Sequence, residues 1–101
     1  MPTSAQRLAT DLLRIAVENF DAEVPTGVAE TIKGLGLTLT DMANALATCE
    51  ATGSNKLEAD GAIFYVRGAT TEDMILAIEV WVSMDQALYR VLDVSLVGEG
   101  R

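Results

Sequence analysis

The chain has 101 residues, half of them hydrophobic, with 7 Lys and Arg against 15 Asp and Glu, no histidine and a net charge of −8 at pH 7. So much apolar surface excludes disorder, and the length bounds the chain to one domain. The missing histidine excludes Ser-His-Asp and Cys-His nucleophilic sites and histidine-held metals, while the charge opposes nucleic-acid phosphates and anionic lipid as partners.

The apolar pattern divides near residue 53, helical before it and alternating after it. Leu8, Leu12, Ile15, Ala16, Asn19 and Phe20 form one stripe of a helix over about residues 4–20, with Thr3-x-x-Gln6 as a capping box. Asp21 to Pro25 reads as a connector, with Val24 held extended by the proline that follows. A second helix fits residues 27–33, with Val28, Ile32 and Leu35 on one side and Gly34 or Gly36 as the left-handed stop. The third begins at the capping box Thr38-x-x-Asp41, with Leu37 and Met42 as a hydrophobic staple, and buries Met42, Ala45, Leu46 and Cys49 before ending by Gly53.

Asp60-Gly61 predicts a tight type I′ hairpin between Leu57-Glu58-Ala59 and a strand over residues 62–67. Residues 73–83 and 87–97 read as two long strands around a three-residue loop at 84–86. The expected fold is a single α+β domain over residues 1–101, three N-terminal helices packed on one face of a four-stranded antiparallel C-terminal sheet. Alternation assigns Phe64, Val66, Met74, Leu76, Ile78, Val80, Val82, Leu88, Leu92, Val94 and Leu96 to the helix side. The other face then carries Ile63, Tyr65, Arg67, Ile75, Ala77, Glu79, Trp81, Tyr89, Val91, Asp93 and Ser95, with Trp81 opposite Tyr89 and Glu79 opposite Val91. Nothing in the remaining chain is left to cover that second face.

Candidate chemistry is sparse. Cys49 on an inner helix face reads as a small core hydrophobe, and as a lone cysteine it fits a reducing compartment. Asp21 with Glu23 and Glu72 with Asp73 lack the oxygen spacing of a calcium loop and read as solvated loop charge. Gly34-x-Gly36 lacks the rest of a nucleotide fingerprint, Gly98-Glu99-Gly100-Arg101 reads as a frayed tail, and no motif implies a cofactor or a metal. Glu79 and Asp93 differ, because they point into the aromatic face beside Trp81, Tyr65 and Tyr89. That is a way to build a site for an organic cation; the other reading of the pair is an ionic contact with Arg67 inside a subunit interface. The candidate ligand-binding or interface residues are therefore Tyr65, Arg67, Glu79, Trp81, Tyr89 and Asp93.

The order of helices, then Leu35-Gly36-Leu37 leading into Asp41-Met42-Ala43-Asn44, then Ile63-Phe64-Tyr65-Val66-Arg67-Gly68 and two long strands, resembles the RelE-like toxin fold. Within it the resemblance is to the branch that includes the MqsR messenger-RNA interferase, and it spans about residues 28–95. It implies helices ahead of a small antiparallel sheet, with Arg67, Tyr65, Tyr89 and Arg90 standing where such toxins meet RNA. Those toxins are basic and this chain is acidic, so the resemblance implies a bacterial member without the nuclease activity. The expectations are thus a non-catalytic, cytoplasmic binding protein that forms a homodimer and takes a cationic or aromatic small molecule. The alternative is an antitoxin-like or immunity-like protein that neutralises a basic protein partner. Neither nucleic acid nor membrane is an expected partner, since no secretory leader or 20-residue apolar run is read in the chain.

Overall fold

The two periodicities resolve into three helices, α1 (Ser4–Asn19), α2 (Thr26–Gly34) and α3 (Leu39–Ala47), and six strands. The strands are β1 (Asp21–Glu23), β2 (Glu50–Ala51), β3 (Lys56–Glu58), β4 (Gly61–Ala69), β5 (Met74–Ser83) and β6 (Leu88–Glu99). The structure, a computed structural model, describes residues 4–52, 56–58, 60–70 and 72–99. The capping box assigned to Thr3 and Gln6 lies partly outside the described residues.

β3, β4, β5 and β6 form the expected antiparallel succession. The four-stranded sheet is nevertheless too small a description. The order is β1-β6-β5-β4-β2 with β3 also on β4, and the sheet is mixed because β1 runs parallel to β6. The segment read as a connector is therefore an edge strand, seated by the Asp21 amide on the Ala87 carbonyl at 3.0 Å. Its three residues are too few to show an alternating pattern.

α1 is turned by about one residue from the expected stripe. Ala9, Leu13 and Ala16 are buried, whereas Leu8 is 71% and Ile15 53% exposed. Two polar anchors explain the rotation. Thr10 Oγ1 accepts the Ala51 amide at 2.8 Å, and Arg14 Nε and Nη2 donate to the Cys49 carbonyl at 3.1 and 2.9 Å. These bonds hold α1 along the β2 edge, and the small side chains of Ala9 and Ala16 permit the close approach. α2 buries Val28 and Ile32 but leaves Leu35 exposed, and Gly36, at φ +76°, is the left-handed residue after it. In α3 the capping box forms in both directions, Asp41 amide to Thr38 Oγ1 at 3.1 Å and Thr38 amide to Asp41 Oδ2 at 2.9 Å. Met42, Ala45, Leu46 and Cys49 are buried, with Leu37 packed against the same core.

Gly68 fixes where α3 sits. A Cβ there would run into the Ala45 backbone carbonyl, so only glycine lets the helix touch β4 at this point. Gly61 is likewise a close-approach residue. It pairs with Glu58 as the first residue of β4 without positive φ, and a Cβ would meet the Val82 carbonyl and lie 2.9 Å from Trp81 Nε1. Gly61 thus opens the strand opposite Glu58 and is not a central residue of a type I′ turn.

The β5–β6 connection has four residues, 84–87, and Ala87 takes a left-handed φ of 49°. Ser83 consequently pairs with Leu88, and Trp81 with Arg90 in place of Tyr89. A one-residue slip exchanges faces. Tyr89 and Val91 turn into the helix-side core at 7% and 0% exposure, while Leu88 and Leu92 are only half-buried. A bulge between Glu79 and Val80 leaves Leu92 as the extra residue and restores the phase, which sets Asp93 opposite Glu79. A second irregularity near the end of β6 leaves Leu96 at 40% and Val97 at 48% exposure. β6 runs on to Glu99, so part of the expected tail is strand.

Candidate functional site: the uncovered sheet face

The strand residues that enter the main core alternate onto one side along the long strands, Phe64, Val66, Leu76, Ile78, Val80, Val82, Tyr89, Val91 and Val94, and Ala51 of β2 joins them with the buried residues of all three helices. The molecule is 20 Å through its thinnest direction. That equals one helix layer on one sheet layer, since stacked layers lie about 10 Å apart. The opposite face of β4, β5 and β6 therefore has no covering element among the described residues, as the sequence predicts.

Two rows of side chains cross this face. In the first, Ile63, Trp81, Arg90 and Glu23 are successive register partners on β4, β5, β6 and β1. Arg90 Nε donates to Glu23 Oε1 at 2.8 Å, and the guanidinium carbon stands 5.1 Å from the Trp81 ring centroid. Trp81 is expected to be open to a cation. Instead the chain's own Arg90 lies over the indole, held in place by the strand read as a connector. Glu23 stays exposed, as expected, but it lies in a strand and pairs with Arg90; the only sign of this in the sequence is the extended Val24 before Pro25, which prolongs the strand direction.

In the second row Tyr65, Glu79 and Asp93 are register partners on β4, β5 and β6. They line a shallow, open depression with Thr52, Arg67, Ala77 and Ser95. Glu79 directly opposite Asp93 is a like-charge cross-strand pair, an arrangement that costs stability unless a cation lies close by. Asp93 Oδ1 accepts its neighbouring Val94 amide at 3.0 Å. Arg67, two residues along β4 from Tyr65, lies opposite Ala77 on one side and Glu50 on the other. Among the described residues, Glu79, Asp93 and Arg67 make no ion pair.

Of the six residues singled out in the sequence, five share this face and one does not. Tyr65, at 39% exposure, Arg67, Glu79, Trp81 and Asp93 lie together, whereas the slip at residues 84–87 removes Tyr89 to the core. Burial raises the pKa of the Tyr89 phenol. Cys49 is fully buried, and loss of hydration pushes its thiol up to about 11, against a smaller lowering by Arg14. A thiol held protonated behind α1 is poorly suited to nucleophilic work.

Among the described residues no group of three or more His, Cys, Asp or Glu is placed to hold a metal ion, and no helix is long and apolar enough to cross a membrane. The two rows and Arg67 offer an indole, a phenol, three carboxylates and two guanidiniums on an open surface, groups suited to recognition by contact. No family model, curated protein or solved structure matches the chain.

Proposed function

We propose that this is a non-catalytic binding protein that associates with a second copy of itself through the uncovered sheet face. The observation that carries the reading is that Ile63, Ile75 and Trp81 are only half-buried and Tyr65 is exposed on one face, while all three helices pack on the other. β5 has 10 residues. A strand of that length spans about 33 Å, and three to five strands spaced about 4.8 Å apart give a flat area of roughly 500–800 Å². Standard interfaces bury about 800 Å² per partner, so the face is of the right size for a two-fold dimer. Aromatic residues are enriched among interface anchors, which gives Trp81 and Tyr65 that role.

Sedimentation at micromolar concentration tests the reading with wild type, Trp81→Glu and Tyr65→Glu. A dimeric wild type and two weakened variants are expected. A monomeric wild type removes the proposal, and variants that remain fully dimeric remove this surface.

A second reading rests on the Tyr65, Glu79 and Asp93 row, where two facing carboxylates beside a phenol suit the ammonium or guanidinium of a cationic small molecule or of a basic protein partner. Thermal shift across a panel of organic cations tests it, because a ligand that binds only the native state raises its stability by mass action. Shifts that survive raised salt and vanish in Glu79→Gln support the site; a flat response to every cation removes it. Kinship with the RelE-like toxin fold is proposed on the order of elements alone, helices ahead of an antiparallel succession of strands. The net charge of −8 supports a member that leaves RNA uncut, and a cytoplasmic setting accords with the lone buried cysteine.

A further inference from the structure

We propose that Arg67 of each copy pairs with Asp93 of the other across a two-fold axis running along β5, an inference that rests on the face-to-face dimer proposed above. The face carries charges of both signs, with acids in excess. It carries Arg67 and Arg90 with Glu79 and Asp93, and Arg90 is already engaged by Glu23 and Trp81. What remains is an acidic pair facing itself across β5 and β6, and a guanidinium on β4 with no ion pair among the described residues. A partner of one sign would satisfy only half of this set. A second copy supplies one guanidinium to each acidic pair and a carboxylate to each Arg67.

The sheet order supplies the geometry. β5 lies between β4 and β6. A rotation about an axis along β5 sends β4 of one copy over β6 of the other, the aligned arrangement in which sheets commonly pack. The row of Tyr65, Glu79 and Asp93 then faces its own counterpart, with Tyr65 over Asp93 of the second copy and Glu79 over Glu79 of the second copy at the axis, a like-charge approach that the two Arg67 guanidiniums flanking it must offset. The next row, Arg67, Ala77 and Ser95, places Arg67 over Ser95 of the second copy. Residues two apart along a strand are separated by about 7 Å, a step the long arginine stem spans to reach Asp93 of the second copy. The like-charge pair on each copy thereby acquires the cation it lacks, and the half-buried Trp81 and Ile75 lie near the axis against their counterparts.

Charge reversal tests the pairing. Dimer dissociation is measured by sedimentation over a concentration series for wild type, Asp93→Arg, Arg67→Glu and the double reversal, with circular dichroism as the control for folding. Asp93→Arg places a cation opposite Glu79 and so favours the folded monomer, which makes any loss of dimer an interface effect. Arg67→Gln accompanies Arg67→Glu because it adds no second acid beside Glu50. Each single change is expected to weaken the dimer about tenfold or more, and the double reversal to restore most of that loss. A monomeric wild type removes the dimer and this inference together. A stable dimer indifferent to the single changes, or one that the double reversal fails to rescue, overturns the pairing and leaves the dimer standing. A dimer weakened equally by sodium chloride and by an organic cation supports the pairing, because salt screens the Arg67–Asp93 contact, whereas selective dissociation by the organic cation assigns the acidic row to a ligand and overturns the pairing.

Discussion

Arg90 stands over Trp81, its guanidinium carbon 5.1 Å from the indole centroid, while its Nε reaches Glu23 Oε1 at 2.8 Å. One arginine thus joins the central strand of the open face to the edge strand β1. Trp81 is the only tryptophan, so its emission reports on this contact directly. Arg90→Met keeps much of the apolar stem and removes the charge. Exposed ion pairs and cation–π contacts are each worth about 0.5–1 kcal/mol, so urea unfolding at fixed protein concentration should show a loss of roughly 1 kcal/mol with a shifted Trp81 emission. Glu23→Gln should cost less and leave the emission nearer wild type. Unchanged emission in Arg90→Met counts against the contact.

The glycines separate close approach from open space. At Gly68 a Cβ would strike the Ala45 backbone, which cannot rotate away, so Gly68→Ala must push α3 off the sheet. Overpacking of this kind costs about 1–3 kcal/mol, and the upper part of that range is expected because the obstacle is main chain. Gly27, in the first turn of α2, has nothing near its missing Cβ. Gly27→Ala should be neutral or should stabilise by up to about 1 kcal/mol through reduced freedom of the unfolded chain. Equal effects at the two sites, read from urea midpoints, would place α3 wrongly.

These elements show what the sequence makes legible. The capping box at Thr38 and Asp41, the stop at Gly36 and the stripe from Met42 to Cys49 are local signals, and each appears where periodicity and cap chemistry put it. The succession of β3 to β6 and the uncovered face follow from alternation. What escapes is set by non-local partners. β1 exists because β6 offers it an edge, and the slip that buries Tyr89 comes from the length of one turn and the left-handed Ala87. The aromatic face consequently retains Trp81 and Tyr65 but loses Tyr89. Arg90, named in the sequence only through a family likeness, takes its place beside Trp81.

α1 offers a direct test of its rotation. The sequence favours Leu8 and Ile15 as core residues, whereas Leu13 is fully buried and Leu8 is 71% exposed. Leu13→Ala should cost about 2–5 kcal/mol through lost transfer energy and the cavity left behind. Leu8→Ser, on the solvent side, should stay within about 0.5 kcal/mol. Thr10→Val should fall between them, because it leaves the Ala51 amide without the hydroxyl it donates to, a loss of about 1–3 kcal/mol. If Leu8→Ser proves the most damaging of the three, the stripe read from spacing is the buried one.

Cys49 makes stability depend on alkaline pH in a definite direction. Burial raises its thiol from 9.0 to about 11, so below pH 9 both folded and unfolded chains keep the proton and the full stabilisation is present. Between those values the unfolded chain ionises while the native chain still holds its proton. The native state then binds more protons than the unfolded one, and stability falls as pH rises until the folded thiol itself ionises. At about 1.4 kcal/mol per pKa unit, the loss attributable to this group is on the order of 3 kcal/mol. The buried Tyr89 phenol is raised as well and acts in the same direction, so wild type alone does not isolate the thiol. Cys49→Ala does. Urea midpoints at pH 8 and pH 10.5 should fall more steeply for wild type than for Cys49→Ala, even though the alanine variant begins lower because it leaves a small cavity. A thiol-specific reagent at pH 8 should label wild type only as fast as α1 opens, and adding urea should accelerate it. Identical pH slopes for the two proteins, or rapid labelling of the native chain, would show that the thiol reaches solvent and that α1 does not seal the β2 edge.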